Sequence, residues 1–153
     1  ARETVERAVA AWSGVASRAG VVLREELPNG PVPVDTDESR LRQVVDGLIE
    51  NALRVTPEGA PVVVSVAASD GARVEVRDGG PGLTAEDTEV AFERGELHAR
   101  YRDVRPVGTG LGLSIARRLV DRLGGAMEVR PAPEGGAAFA VSLPSSYIPP
   151  AKR

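Results

Sequence analysis

The chain has 153 residues, 42% of them hydrophobic and 27% charged, enough apolar material for a packed core and too much for a disordered segment. Aromatic residues make up 3%, so the core falls to Val, Leu, Ile and Ala, and a net charge of −3 argues against a dedicated nucleic-acid binder. With no cysteine, and with His98 and Lys152 as the single histidine and lysine, disulfide scaffolds, thiol catalysis, multi-histidine metal centres and lysine-dependent phosphate cradles such as the P-loop are excluded.

Along residues 2–19, Val5, Ala8, Val9, Ala11, Trp12, Val15 and Ala16 recur at helical spacing and predict an amphipathic helix ending near Gly20. Residues 21–27 read as a strand and 28–33 as a Pro- and Gly-rich connector. Asp35 and Thr36, with Glu38 three residues after Asp35, suggest a capping box. The helix behind it carries Leu41, Val44, Val45, Leu48, Ile49 and Ala52 on one stripe, and stops at Thr56 because Pro57 disfavours helical geometry in its predecessor. Two strands, 61–68 and 73–77, form a hairpin through 69–71. A short helix over 85–92 and an arginine-dotted loop over 94–107 follow. A helix after Gly108 presents Leu113, Ala116, Leu119, Val120 and Leu123 and ends at Gly124 and Gly125. Strands 126–130 and 137–143 pair around 133–136.

Helices mix with locally paired strands. The expected fold class is therefore α+β: a two-layer α/β sandwich whose mixed, mostly antiparallel sheet of about five strands is covered on one face by three helices. Residues 1–144 read as one domain and 145–153 as a loose tail. No apolar run approaches the ~20 residues of a membrane-spanning helix and no signal peptide opens the chain, so a soluble, cytoplasmic fragment is expected.

Three constellations can carry chemistry. On the second helix, Gly47, Glu50, Asn51 and Arg54 cluster beside the apolar stripe. Asn51, at the border of that stripe, is expected to be half-sheltered; its amide oxygen can ligate a hard cation, and Arg54 can meet a phosphate. Taken alone, this is equally a solvated face. Asp78-Gly79-Gly80-Pro81-Gly82 sits at a strand end. Alone it is a turn, but its carboxylate can accept a hydrogen bond from an exocyclic amine while its glycines let a ligand approach the backbone. In Gly108-Thr109-Gly110-Leu111-Gly112-Leu113-Ser114, glycines open a helix, where free N–H groups and the positive dipole end suit an anion; a glycine-rich entry made for packing is the alternative. The G-x-G-x-G spacing and the charged loop before it exclude a Rossmann fingerprint.

In this order, Leu-Ile-Glu-Asn-Ala-Leu-Arg (48–54), Asp-Gly-Gly-Pro-Gly (78–82), Ala-Phe-Glu-Arg (91–94) and Gly-Thr-Gly-Leu-Gly-Leu (108–113) resemble the N, G1, F and G2 boxes of the sensor histidine kinase ATP-binding domain. That domain, of the Bergerat fold, is shared with gyrase B, Hsp90 and MutL. The resemblance implies that ATP and Mg²⁺ bind here. Asn51 matches the metal-holding Asn and Arg54 a basic position near the phosphates. Asp78 matches the Asp that reads the adenine amino group, with Gly80 and Gly82 shaping that wall. Gly108, Thr109, Gly110, Leu111 and Gly112 match the phosphate-side hinge of a lid over 94–107, and Phe92 the aromatic that anchors its start.

Two positions depart from the pattern. Gly47 stands where the family commonly has a first Asn, so that one metal or water contact is either missing or supplied by Glu50, and Val55 replaces the common Tyr or His on adenine. Arg94, Arg100, Arg102 and Arg105 bias the lid positively, and His98 reads as an exposed loop residue, since it lacks the acidic neighbour of a phosphoacceptor. The resemblance thus implies a histidine kinase's ATP-binding part. It would act on a histidine of an adjoining dimerisation domain and, in the full system, serve a response regulator, with no nucleic acid and no direct membrane contact, the parent being membrane-anchored. Opening directly on a helix is what a domain separated from an upstream neighbour would show. Such a chain binds nucleotide but does not phosphorylate itself. An anti-sigma-factor-type serine kinase of the same superfamily, or a degenerate partner-binding module, are the alternatives.

Overall fold

In the computed structural model, residues 1–80 and 112–146 are described. The first helix, α1 (Arg2–Arg18), buries Val5, Ala8, Val9 and Ala16 of the predicted stripe and half-buries Trp12, while Ala11 and Val15 are left outside. The chain turns at Gly20 into β1 (Val22–Glu26), a short edge strand. A connector leads to α2 (Glu38–Val55). The cap of α2 lies two residues beyond the expected one: Asp37, in extended geometry, accepts from the Arg40 N–H at 3.1 Å. The Asp35 N–H instead donates to the Ser145 carbonyl, 3.3 Å off. At the other end Thr56 is the C-cap, as Pro57 requires.

The hairpin of β2 (Pro61–Ser69) and β3 (Gly71–Arg77) turns on Asp70, tighter than the sequence suggests. The helix α3 (Gly112–Arg122) follows, then β4 (Ala126–Pro131) and β5 (Ala137–Pro144). These five strands form one sheet in the order β1-β2-β3-β5-β4. Only β1 and β2 are parallel, and α2 is the crossover between them, as a parallel pair demands. The expected mixed, mostly antiparallel sheet is therefore what forms.

Val62, Val64 and Val66 of β2, Val74 and Val76 of β3, Met127 and Val129 of β4, and Phe139, Val141 and Leu143 of β5 alternate onto one face. They meet Leu41, Val44, Val45, Leu48 and Ile49 of α2, the α1 stripe, and Leu113, Ala116, Val120 and Leu123 of α3 in a single core. Helix α2 is the central one, since it packs on α1, on α3 and on the sheet. Its place is pinned by Asp46, whose Oδ1 accepts from Trp12 Nε1 of α1 at 2.9 Å and from Arg42 at 2.8 Å.

Candidate functional site

Because α2 is packed on both flanks, its buried band is wider than a single stripe and takes in Asn51, Leu53 and Val55. Asn51 is consequently 8% exposed, deeper than the border position expected of it. Its Nδ2 is buried and finds no hydrogen-bond partner among the described residues. A buried amide left so costs about 1–3 kcal/mol, which singles it out as a group awaiting a polar partner. One position earlier, Glu50 Oε1 accepts from Arg54 at 2.6 Å, both side chains half-exposed on the outer side of the helix. Arg54 is thus already paired along its own helix.

The end of α2 meets the end of β3. Asp78, the first residue past β3, is 1% exposed. Its Oδ1 accepts from the N–H of Gly80 at 3.0 Å and of Ala137 at 3.2 Å, and its main chain extends the β3–β5 ladder by bonds to Ala137 O and from the Gly136 N–H. The strand twist that feeds Asp78 inward also brings Gly80 onto the last turn of α2: a Cβ at Gly80 would lie 2.5 Å from the Val55 carbonyl oxygen. The Gly79 N–H donates to Thr56 Oγ1 at 3.3 Å. Asn51 lies one turn before Val55, so the helix amide and the strand-end carboxylate come to neighbouring parts of one seam.

Of the third constellation, Gly112 opens α3, which packs on α2. Gly82, Gly108, Thr109, Gly110 and Leu111 lie outside the described residues, as do the 85–92 helix, Phe92, the 94–107 lid with His98 and its arginines, and the tail beyond 146. Three residues that hold the seam together escaped the sequence reading. Thr56 was read as a helix stop, and Gly136 and Ala137 as hairpin residues, yet a Cβ on Gly136 would collide with Asp78 Oδ1 and with the Asp78 carbonyl. The one available signal was the doubled glycine at 135–136. Gly135 has φ +99 and satisfies the turn by itself, leaving Gly136 to be explained by close approach.

On the opposite, open face, β3 carries a second ionic constellation. Glu75, 5% exposed, accepts from Arg130 at 2.6 Å and from Arg77 at 3.4 Å, and lies 3.6 Å from Arg73. Burial pushes the Glu75 carboxyl up, but the hydrogen bonds and charges of Arg130 and Arg77 outweigh it and hold it below the ordinary carboxylate value. Arg77 and Arg130 are held above the ordinary guanidinium value, Arg77 against burial by Glu134 and Glu26, and Arg130 by Glu75.

No group of three or more His, Asp or Glu side chains that would cage a metal occurs among the described residues. Mg²⁺, which keeps waters and substrate phosphates as ligands, needs only one or two protein groups. The amide oxygen of Asn51, on a side chain 8% exposed at the end of α2, is of the right chemistry to be one such group, while its orphaned Nδ2 is a donor and calls for an acceptor such as a phosphate or water oxygen rather than for the metal. No helix among the described residues is long and apolar enough to cross a membrane.

The sequence pattern of the Histidine kinase-, DNA gyrase B-, and HSP90-like ATPase family matches residues 36–147. The histidine protein kinase DivJ of Caulobacter vibrioides is 37% identical over 150 residues, covering 97% of this chain and 25% of that protein. The adaptive-response sensory kinase SasA of Microcystis aeruginosa is 33% identical over 127 residues, 81% of this chain and 32% of that one. The chain therefore spans about a quarter to a third of the length of these two relatives. Among solved structures, full-length ShkA in complex with AMPPNP superposes with a TM-score of 0.79 at 29% identity, over 97% of this chain and 31% of that one. The mycobacterial sensor histidine kinase MprB gives 0.75 at 27% identity and 95% of each chain.

Proposed function

Since this chain belongs to the family of histidine kinase-, DNA gyrase B- and HSP90-like ATPases, we propose that it is the ATP-binding catalytic domain of a sensor histidine kinase. It presents Mg-ATP to a histidine on a separate dimerisation domain, from which the phosphoryl group passes to a response regulator. The observation that carries the reading is the buried Asp78 carboxylate, held by backbone donors at a seam against the α2 end that bears Asn51. The names of the similar proteins, DivJ and ShkA among them, favour a histidine acceptor over a serine on an anti-sigma factor.

Each residue has a task within this reading. Asp78 accepts a hydrogen bond from the adenine amino group, and Gly80, which can close on the last turn of α2 for want of a side chain, shapes that wall of the site together with Gly82. Asn51 holds Mg²⁺, which when bound neutralises charge on the phosphates. Glu50 supplies the contact that Gly47 lacks, and its pairing with Arg54 sets the guanidinium's reach toward the phosphates. The glycines at 108, 110 and 112, with Thr109 and Leu111, form the hinge on the phosphate side. Phosphoryl transfer relies on positioning and charge stabilisation, so the nucleophile belongs to the acceptor domain. The parent's membrane anchoring belongs to the same proposal, the domain itself lying in the cytoplasm.

Isothermal titration with Mg-ADP tests the reading. Asp78→Asn is expected to bind about ten- to a hundredfold more weakly, the worth of a hydrogen bond to a charged group, with an unchanged far-UV spectrum. Asn51→Ala should bind ATP equally with and without Mg²⁺. No heat at millimolar Mg-ADP with the unaltered chain refutes nucleotide binding, and an unchanged Asp78→Asn affinity refutes the role of Asp78.

A further inference from the structure

The β4–β5 turn grips two successive residues of the β3 end from opposite faces of the sheet. Arg77 and Asp78 alternate, Arg77 to the open face and Asp78 toward the helices. The turn is closed by the Gly135 N–H on the Ala132 carbonyl at 3.0 Å and the Ala132 N–H on the Gly136 carbonyl at 2.8 Å. On the inner side its next residues hold Asp78, through the Ala137 N–H on Oδ1 and the Gly136 N–H on the Asp78 carbonyl. On the outer side Glu134, from the tip of the same turn, accepts from Arg77 Nε, both side chains less than one-fifth exposed.

We infer that Glu134 and Gly136 are positioning residues for base recognition: the Glu134–Arg77 ion pair fixes the turn, and the turn fixes the plane of the Asp78 carboxylate. The inference rests on the reading of Asp78 as the group that meets adenine. Without Glu134, Arg77 keeps Glu26 at 3.1 Å and Glu75 at 3.4 Å, so the guanidinium stays paired and the sheet keeps its network. What is lost is the tie between turn and strand. The Ala137 N–H on Oδ1 and the Gly136 N–H on the Asp78 carbonyl are then less firmly placed, and the carboxylate meets the amine at a poorer angle. At Gly136 the effect is direct, because any side chain pushes Asp78 aside.

The measurement compares ADP with IDP, which carries a carbonyl in place of the amine and so reports the rest of the site. The unaltered chain should prefer ADP by about tenfold or more. Glu134→Gln is expected to cut that preference about three- to tenfold, with IDP affinity little changed, and Gly136→Ala to abolish it. Glu128→Gln, which breaks the Arg73 pair at the far side of the same network, should leave the preference intact. If Gly136→Ala fails to fold, Glu134→Gln decides alone. A Glu134→Gln protein with the full preference overturns the inference and leaves the role of Asp78 standing. An unaltered chain that binds ADP and IDP alike overturns both.

Discussion

On the helix-covered face of the sheet, Val64, Val74, Val76, Phe139 and Val141 are almost wholly buried and contribute no side-chain polar atom. On the open face the same strands bury Glu75 to nearly the same degree, within a mesh of arginines. The register explains how. Glu75 pairs with Ala140, and Ala140 with Glu128, so β5 lies between the two charged strands, which stand about 9.5 Å apart. Alanines at 138 and 140 leave room for Arg130 to cross β5 to Glu75, while Arg73 reaches Glu128 over the same strand. Both alanines are fully buried although no helix among the described residues covers that face. One face is sealed by a second layer, the other by its own long side chains. The comparison teaches that a sheet end can be held from both sides, which is how Asp78 comes to be fixed between an apolar layer and an ionic one.

The largest expected effect breaks the covered face. Phe139, 2% exposed, is the largest of the fully buried side chains. Phe139→Ala removes a ring the neighbours cannot replace, and should cost about 3–5 kcal/mol in urea unfolding. The open face should be more forgiving. Glu75→Gln loses charged hydrogen bonds worth about 1.5–3 kcal/mol, with the lower end expected because Arg130 is half-exposed and can rehydrate. The two differ in kind under acid. Glu75 titrates below its ordinary value of 4.5 in the folded chain, so its stabilisation is complete above that pH and is lost as the pH falls through the lower folded value. Stability curves of the Glu75→Gln and unaltered chains should therefore differ at neutral pH and converge in acid, whereas the Phe139→Ala deficit should persist across the range.

The same contrast explains what was legible in the sequence. The covered face was readable because hydrophobic periodicity is local: the α2 stripe from Leu41 to Ala52 and the α3 face both entered the core. The order of motifs along the chain was legible by another route, a resemblance to a family rather than a periodicity. What escaped depends on long-range registry. Arg77 and Glu134 lie 57 residues apart, and Ala137 stands 59 from the carboxylate it holds, so no spacing rule connects them. The depth of Asn51 escaped for a related reason. A helix flanked by two others buries more than one stripe, and the flanking is a property of the assembled layer rather than of α2 itself.

The smallest effect on stability sharpens the comparison at the site. Glu50 and Arg54 form an ion pair as short as that of Glu75 and Arg130 on the open face, at 2.6 Å, but one turn apart on a single helix and 48% exposed at each side chain. Water already solvates both groups, and an exposed pair at this spacing is worth about 0.3–0.5 kcal/mol. Glu50→Gln should accordingly unfold within about half a kcal/mol of the unaltered chain, far closer than Glu75→Gln. Its effect on nucleotide should be larger than its effect on the fold, because the substitution frees Arg54 and removes the carboxylate assigned to the position Gly47 leaves open. In titrations with Mg-ATP the loss should fall short of that in Asn51→Ala, whose side chain is buried at the seam where that of Glu50 is half-exposed and already paired. A Glu50→Gln protein that is strongly destabilised yet binds Mg-ATP unchanged would make this pair structural and remove Glu50 from the site.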